Sequence, residues 1–175
     1  VIGGGDWATD RIVADCMRAW SKNHAVDIRS PHSTRPWQHT LEPLSGYLCL
    51  AENLSKTDDM HGEAFNFGPS GNQDYSVQEL ITEMSNHWSN VRWNDISNTT
   101  KRLHEANLLK LNCDKALHSL NWLPTLNFQE TVKMTVDWYK NYYTNPDVSM
   151  FEFTCEQIEE YSKVAQIRSN VWATR

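Results

Sequence analysis

Several absences narrow the chain before any motif is read. Its four cysteines, Cys16, Cys49, Cys113 and Cys155, form no C-x-x-C pair and no dense framework. That argues against a metal knuckle or a disulfide-stapled domain and for reduced thiols in a cytosolic protein. No apolar run approaches the roughly 18 residues of a membrane span, and mean hydropathy is −0.63. No membrane partner is expected. Basic residues are in the minority, 16 Lys and Arg against 22 Asp and Glu, for a net charge of −6. A broad electrostatic footprint for nucleic acid is therefore not expected, although a local basic pocket remains compatible with the total. The sequence starts at Val1 without an initiator Met, and its first residues lack the charged, apolar and cleavage regions of a signal peptide. It reads as starting inside a domain, at the end of a strand.

Catalytic signatures are missing too. No Tyr is followed four places later by Lys, and neither G-x-S-x-G nor H-E-x-x-H occurs. No catalytic residue and no metal ligand is assigned. The opening VIGGGDWATDR does carry three contiguous glycines, Gly3 to Gly5. A dinucleotide loop spaces its glycines G-x-G-x-x-G between a full strand and a helix, so that turn, pyrophosphate approach and helix packing each have one. This cluster does not fit that loop.

What is present is an alternation of helical and extended patterns, an α/β signature with few long strands. Asp10 to Ser21 has helical spacing, with Thr9 or Asp10 as N-cap. Ala25 to Arg29 reads as a strand, SPHSTRP as a turn-rich loop, and Trp37 to Thr40 as a brief extended segment. Glu42 to Ser55 is expected to be a helix burying Leu44, Tyr47, Leu48 and Ala51. Ala64 to Phe67 alternates like a strand. Ser76 and Glu79 form a capping box ahead of a helix, Val91 and Arg92 suit a short strand, and helices are expected over Cys113 to Leu120 and Phe128 to Tyr143. An amphipathic tail runs from Thr154 to about Arg168, acidic at its start. Eight tryptophans are many for 175 residues; packing accounts for most such rings, and some line ligand clefts.

Arg11, Arg29, Arg35 and Arg102 fall at helix starts, strand ends or loops. Guanidinium groups suit bidentate contacts to phosphate oxygens, and a helix start beside Arg11 adds amide donors. A single such arginine is more often solvated or salt-bridged. Four that could converge point to a small anionic, pyrophosphate-like ligand.

The runs VIGGGDWATDRIV, IRSPHSTRPWQH with LEPLSGYLCLA, GEAFNFGP with SVQELI, and RLHEANLLKLNCDKALHSLNWLP with TVDWY resemble, in order and spacing, the NDP-sugar-modifying extended short-chain dehydrogenases. The likeness spans about positions 1 to 143, and STRPWQH and LHEANLLKL point to the CDP-glucose-dehydrating branch. The resemblance implies the C-terminal part of such an enzyme: the end of a Rossmann sheet and a small α/β substrate-binding domain. Residues 1–22 would end the Rossmann core and give its first helix, 23–145 hold the sheet remnant and nucleotide-sugar region, and 146–175 form a helical tail. NAD would be bound mainly by a preceding half that also carries the catalytic Tyr-x-x-x-Lys, leaving this part inactive alone.

By position, the resemblance gives Arg11, Arg35 and Arg102 to the diphosphate, with Trp37 buttressing the Arg35 loop. Arg29 and Ser30 fall along the nucleotide base, Glu105 at a ribose or base contact, Asn66 at a strand-end N-x-G, and Ile2 with Gly3 beside the cofactor. CDP-glucose or a related nucleotide sugar is the implied partner, and a homodimer the implied assembly of the whole enzyme. Ala14 and Thr40 depart from the family pattern, which has Pro and an aliphatic residue there.

Overall fold

A computed structural model describes residues 1–71, 73–98 and 109–174. The architecture is α/β, as expected. In chain order it runs α1 (Ile12–Trp20), β1 (Val26–Ile28), β2 (Thr34–Arg35), α2 (Leu41–Leu54), β3 (Tyr75–Ser76), α3 (Val77–Ser85), β4 (Trp93–Asp95), α4 (Asp114–Leu120), α5 (Phe128–Thr144) and α6 (Met150–Ile167), then a 3-10 turn at Val171–Ala173. The strands form two pairs. β1 lies parallel to β4 with Asp27 opposite Asn94, and β2 lies antiparallel to β3 with Arg35 opposite Tyr75. A single parallel bridge joins Ile2 to His39.

The larger core follows from apolar spacing on three helices around β1. Val13, Cys16, Met17 and Trp20 of α1 meet Val26 and Ile28 of β1, Leu80, Ile81 and Met84 of α3, and Phe128, Val132, Val136 and Tyr139 of α5. A smaller cluster holds Cys49, Phe67, Ala116, Leu120 and Trp122. Local chemistry fixes several ends. Ser76 accepts from the Glu79 amide while Glu79 accepts from the Ser76 amide, and Asn127 with Glu130 repeats the arrangement at α5. Asn121, at φ +52°, turns the chain out of α4, ahead of the Trp122-Leu123-Pro124 run.

Other expectations are corrected. Neither Thr9 nor Asp10 caps α1; the N-cap is Arg11 and among the described residues no side chain caps the first turn, because Asp10 sits at φ +59° and turns away. The loop SPHSTRP contains β2, and β4 starts at Trp93, immediately after Val91 and Arg92. Ala64 to Phe67 forms no strand: no ladder partner is placed beside it among the described residues, and the Phe67 carbonyl accepts instead from Gln38 Nε2 at 2.9 Å. Of Trp37 to Thr40, only His39 joins a bridge. The tail helix begins at Met150, where Ser149 caps it by accepting from the Glu152 amide.

The largest correction concerns α2. Its bounds match the expected helix closely, but Leu44, Tyr47 and Leu48 are 47%, 58% and 73% exposed, and Ala51 is exposed with them. The buried side carries Glu42, Pro43, Ser45, Gly46 and Cys49. Gly46 is part of the reason: a Cβ there would lie 2.3 Å from the Phe67 ring, so the bare backbone lets that ring seat on the helix.

Glu42, 1% exposed, is the centre of a polar network. Its carboxylate accepts from the amides of Thr125 at 2.9 Å and Leu126 at 2.6 Å and from the Tyr161 hydroxyl at 3.0 Å. Ser45 Oγ accepts from Trp122 Nε1 at 3.0 Å, and Asn170 donates to Thr125 Oγ1 at 2.9 Å. Arg168 closes the edge with bonds to Glu130 and the Thr125 carbonyl. Helices α2 and α6 and the turn before α5 are thereby tied together. Burial pushes the Glu42 carboxyl above its ordinary range, against the donors that favour its charge.

Candidate functional site

A cleft of about 450 Å³ opens between the Gly3 to Arg11 loop, the start of α1, β1 and the Arg29 to Trp37 loop. Its shape follows from the elements around it. Val26 and Ile28 are buried while Asp27 is exposed, and Val26 N and Ile28 O bond toward the β4 side, to Arg92 O and Ile96 N. In a parallel pair alternate residues point their amides the other way, so among the described residues β1 presents an open edge along the cleft.

Six of the residues assigned from sequence line this one space: Ile2, Gly3, Arg11, Arg29, Ser30 and Arg35. They arrive from three places, the first residues, the α1 N-cap and the segment after β1. Arg29 reaches Asp10, with Nη2 to Oδ1 at 3.4 Å. Arg35 donates to the Thr34 carbonyl at 2.8 Å, and its strand is braced by Trp37, whose indole donates to the Tyr75 carbonyl at 2.8 Å. Asn66 does not join them; its amide donates to the Asn112 carbonyl at 3.2 Å. Arg102 and Glu105 lie outside the described residues.

Four aspartates that the sequence did not single out for this site also line the cleft: Asp6, Asp10, Asp15 and Asp27. Each is engaged inside the chain. Asp6 accepts from the Ala8 amide at 3.0 Å, Asp15 pairs with Arg18, and Asp27 accepts from Asn94 Nδ2 at 2.9 Å. The alternation of burial along β1 could have placed Asp27 on the open side. The Asp10 to Arg29 pairing has no local signal.

The loop that walls the cleft is anchored to α5. Trp7 stands among Trp138, Tyr139, Tyr142 and Tyr143, with centroid distances from 4.9 to 6.2 Å. Tyr139 donates to the Asp6 carbonyl at 2.6 Å, and Arg18 donates to the Trp7 carbonyl at 2.7 Å. Gly4 lies against Trp138, where a Cβ would come within 2.0 Å of the indole Cγ. The glycine run thus serves close packing at Gly4.

Behind Gly3 is His39, 3% exposed. Its Nδ1 accepts from the Leu41 amide at 3.3 Å, which leaves the ring proton on Nε2, an atom with no partner among the described residues. Burial lowers its pKa to about 4, so the ring is neutral near pH 7. Gly3 itself contributes only backbone to the wall, since a Cβ there would point at Thr40 and His39. Among the described residues no cluster of three or more His, Cys, Asp or Glu could hold a metal ion, and no helix is long and apolar enough to cross a membrane.

No family model matches the chain. Among solved structures, UDP-glucuronic acid 4-epimerase from Bacillus cereus, in complex with NAD, aligns with a TM-score of 0.66 at 16% identity, over 86% of this chain and 44% of that one. The dTDP-glucose 4,6-dehydratase from Bacillus anthracis, also in complex with NAD, aligns at 0.60 and 15% identity, over 82% of this chain and 44% of that one. The fold is that of part of an extended short-chain dehydrogenase. The CDP-glucose 4,6-dehydratase of Salmonella typhimurium is 40% identical over 149 residues, 85% of this chain and 41% of the relative. The resemblance read from the sequence is borne out, and the chain belongs to the NDP-sugar-modifying extended short-chain dehydrogenase family. It spans less than half the length of these relatives.

Proposed function

We propose that this chain is the nucleotide-sugar-binding portion of a CDP-glucose 4,6-dehydratase, inactive without an NAD-binding half. The observation that carries the reading is the convergence of Arg11, from the α1 N-cap, with Arg29 and Arg35, from the segment after β1, on one cleft. Guanidinium groups so grouped suit the oxygens of a diphosphate, and the uncapped first turn of α1 adds amides of the same polarity. The 40% identity to a CDP-glucose 4,6-dehydratase supports this member of the family over an epimerase.

In this reading residues 1–22 end the Rossmann core, 23–145 carry the nucleotide-sugar site and 146–175 form the tail. Ile2 and Gly3 fit a cofactor at their end of the cleft, because Gly3 offers bare backbone that a flat ring can approach. NAD, when bound, would supply the hydride acceptor and donor for oxidation at the sugar C4 and reduction at C6. The chain's own residues hold the diphosphate, so that the glucosyl group is oriented and binding energy serves the reaction. Ser30 and the open β1 edge lie where the base would run. The whole enzyme is proposed to be a cytoplasmic homodimer.

Calorimetric titration of CDP and CDP-glucose into the full chain tests the cleft. Arg35→Ala is expected to lose about 1.5–3 kcal/mol of CDP affinity, the worth of a charge-assisted hydrogen bond. Unchanged affinity would remove Arg35 from the site. Joined to its NAD-binding half, the protein should turn CDP-glucose into a product with 4-keto absorbance in alkali. Turnover of a different nucleotide sugar instead would move the chain to another member of the family.

A further inference from the structure

Asp10 stands immediately before the N-cap of α1, in the neighbourhood where a carboxylate often satisfies first-turn amides. It does not do so. Among the described residues no side chain caps that turn, and Asp10 holds φ at +59°, a left-handed conformation uncommon for residues other than glycine and most tolerated by Asn and Asp. The twist sends its carboxylate across 19 positions of sequence to Arg29, with Oδ1 3.4 Å from Nη2. Arg29 lines the cleft together with Asp10, Arg11 and Arg35.

We propose that Asp10 is an internal competitor for the anion position beside Arg29, which an incoming ligand must displace. This rests on reading the cleft as a diphosphate site. A carboxylate and a phosphate offer a guanidinium the same pair of acceptor oxygens, so the two cannot share one face of Arg29. The pair is exposed, 57% for Arg29 and 82% for Asp10, and pairs of that kind are weak, so a ligand reaching several arginines at once outcompetes it. The displaced carboxylate is adjacent to the uncapped start of α1, whose dipole favours negative charge. Asp10 thus sets how much a ligand gains from its charge, and affinity for anions is held below what the arginines could give.

The test compares CDP with neutral cytidine by calorimetry on the full chain and on Asp10→Asn, which keeps the size and the left-handed tolerance of the residue; circular dichroism checks the fold. CDP should bind about fivefold more tightly to Asp10→Asn, with cytidine unchanged, and the gain should vanish when Arg29→Ala is added. Unchanged or weaker CDP binding by Asp10→Asn overturns the proposal while leaving the diphosphate cleft intact. So does a gain that persists without Arg29 or that cytidine shares. If CDP fails to bind the wild-type chain, the cleft reading falls and the proposal with it.

Discussion

The two sides of α2 differ in what they bury. Toward α6 the helix turns Glu42 and Ser45 inward, and each polar atom there meets a donor or acceptor from Thr125, Leu126, Trp122 or Tyr161. Away from α6 it leaves Leu44, Tyr47 and Leu48 exposed, with the Tyr47 ring 5.6 Å from that of Phe67. A buried carboxylate is tolerated where its hydrogen bonds are met, whereas a contiguous exposed apolar stripe marks a surface that some partner covers. On the proposed reading, that partner is the cofactor-binding half. His39 and Gln38, just before the helix, show the same contrast within one segment: both carry a buried atom without a partner among the described residues.

The largest expected effect separates His39 from the satisfied network. Its folded pKa is about 4 against an ordinary 6.5, so between those values the unfolded chain binds the extra proton. The corresponding stability is present above pH 6.5 and is lost as pH falls toward 4, roughly 3 kcal/mol at 1.36 kcal/mol per pH unit. Urea unfolding at pH 7 and pH 4 should show His39→Asn, whose amide oxygen can still accept from Leu41, losing less on acidification than wild type by about that amount. Equal losses would mean that the ring is not neutral in the folded chain.

Next in size is Glu42→Gln, which sets an amide NH₂ against one of the donors now satisfied. The orphaned group should cost about 1–3 kcal/mol, read as a lower urea midpoint at pH 7. An unchanged midpoint would mean that the network does not hold α6. The smallest effect belongs to the open side: Leu48→Gln should move stability by no more than about 0.5 kcal/mol while reducing light scattering by concentrated protein. A loss of several kcal/mol would show that the stripe is already covered.

This contrast also explains what the sequence could and could not disclose. Helix starts written in local chemistry, such as Ser76 with Glu79, are readable because both partners lie within one turn. The bounds of α2 are readable for a similar reason. Its orientation is not, since Glu42 is held by amides 83 and 84 positions away, and apolar spacing alone assigns Leu44 and Leu48 to the inside. Ala64 to Phe67 alternates like a strand, but alternation does not supply a neighbour to pair with. At the cleft, the residue types Arg11, Arg29 and Arg35 suited an anion. Their approach to one another came from the family resemblance, and the turn of Asp10 toward Arg29 came only from the structure.

The seat of Trp138 on Gly4 has a consequence for how this loop can vary. Any side chain at position 4 would collide with the indole, so drift there is coupled to position 138 on α5, far along the chain. Related sequences that lose this glycine should carry a smaller residue in place of the tryptophan. The pair should co-vary even though neither residue is assigned a contact with the ligand.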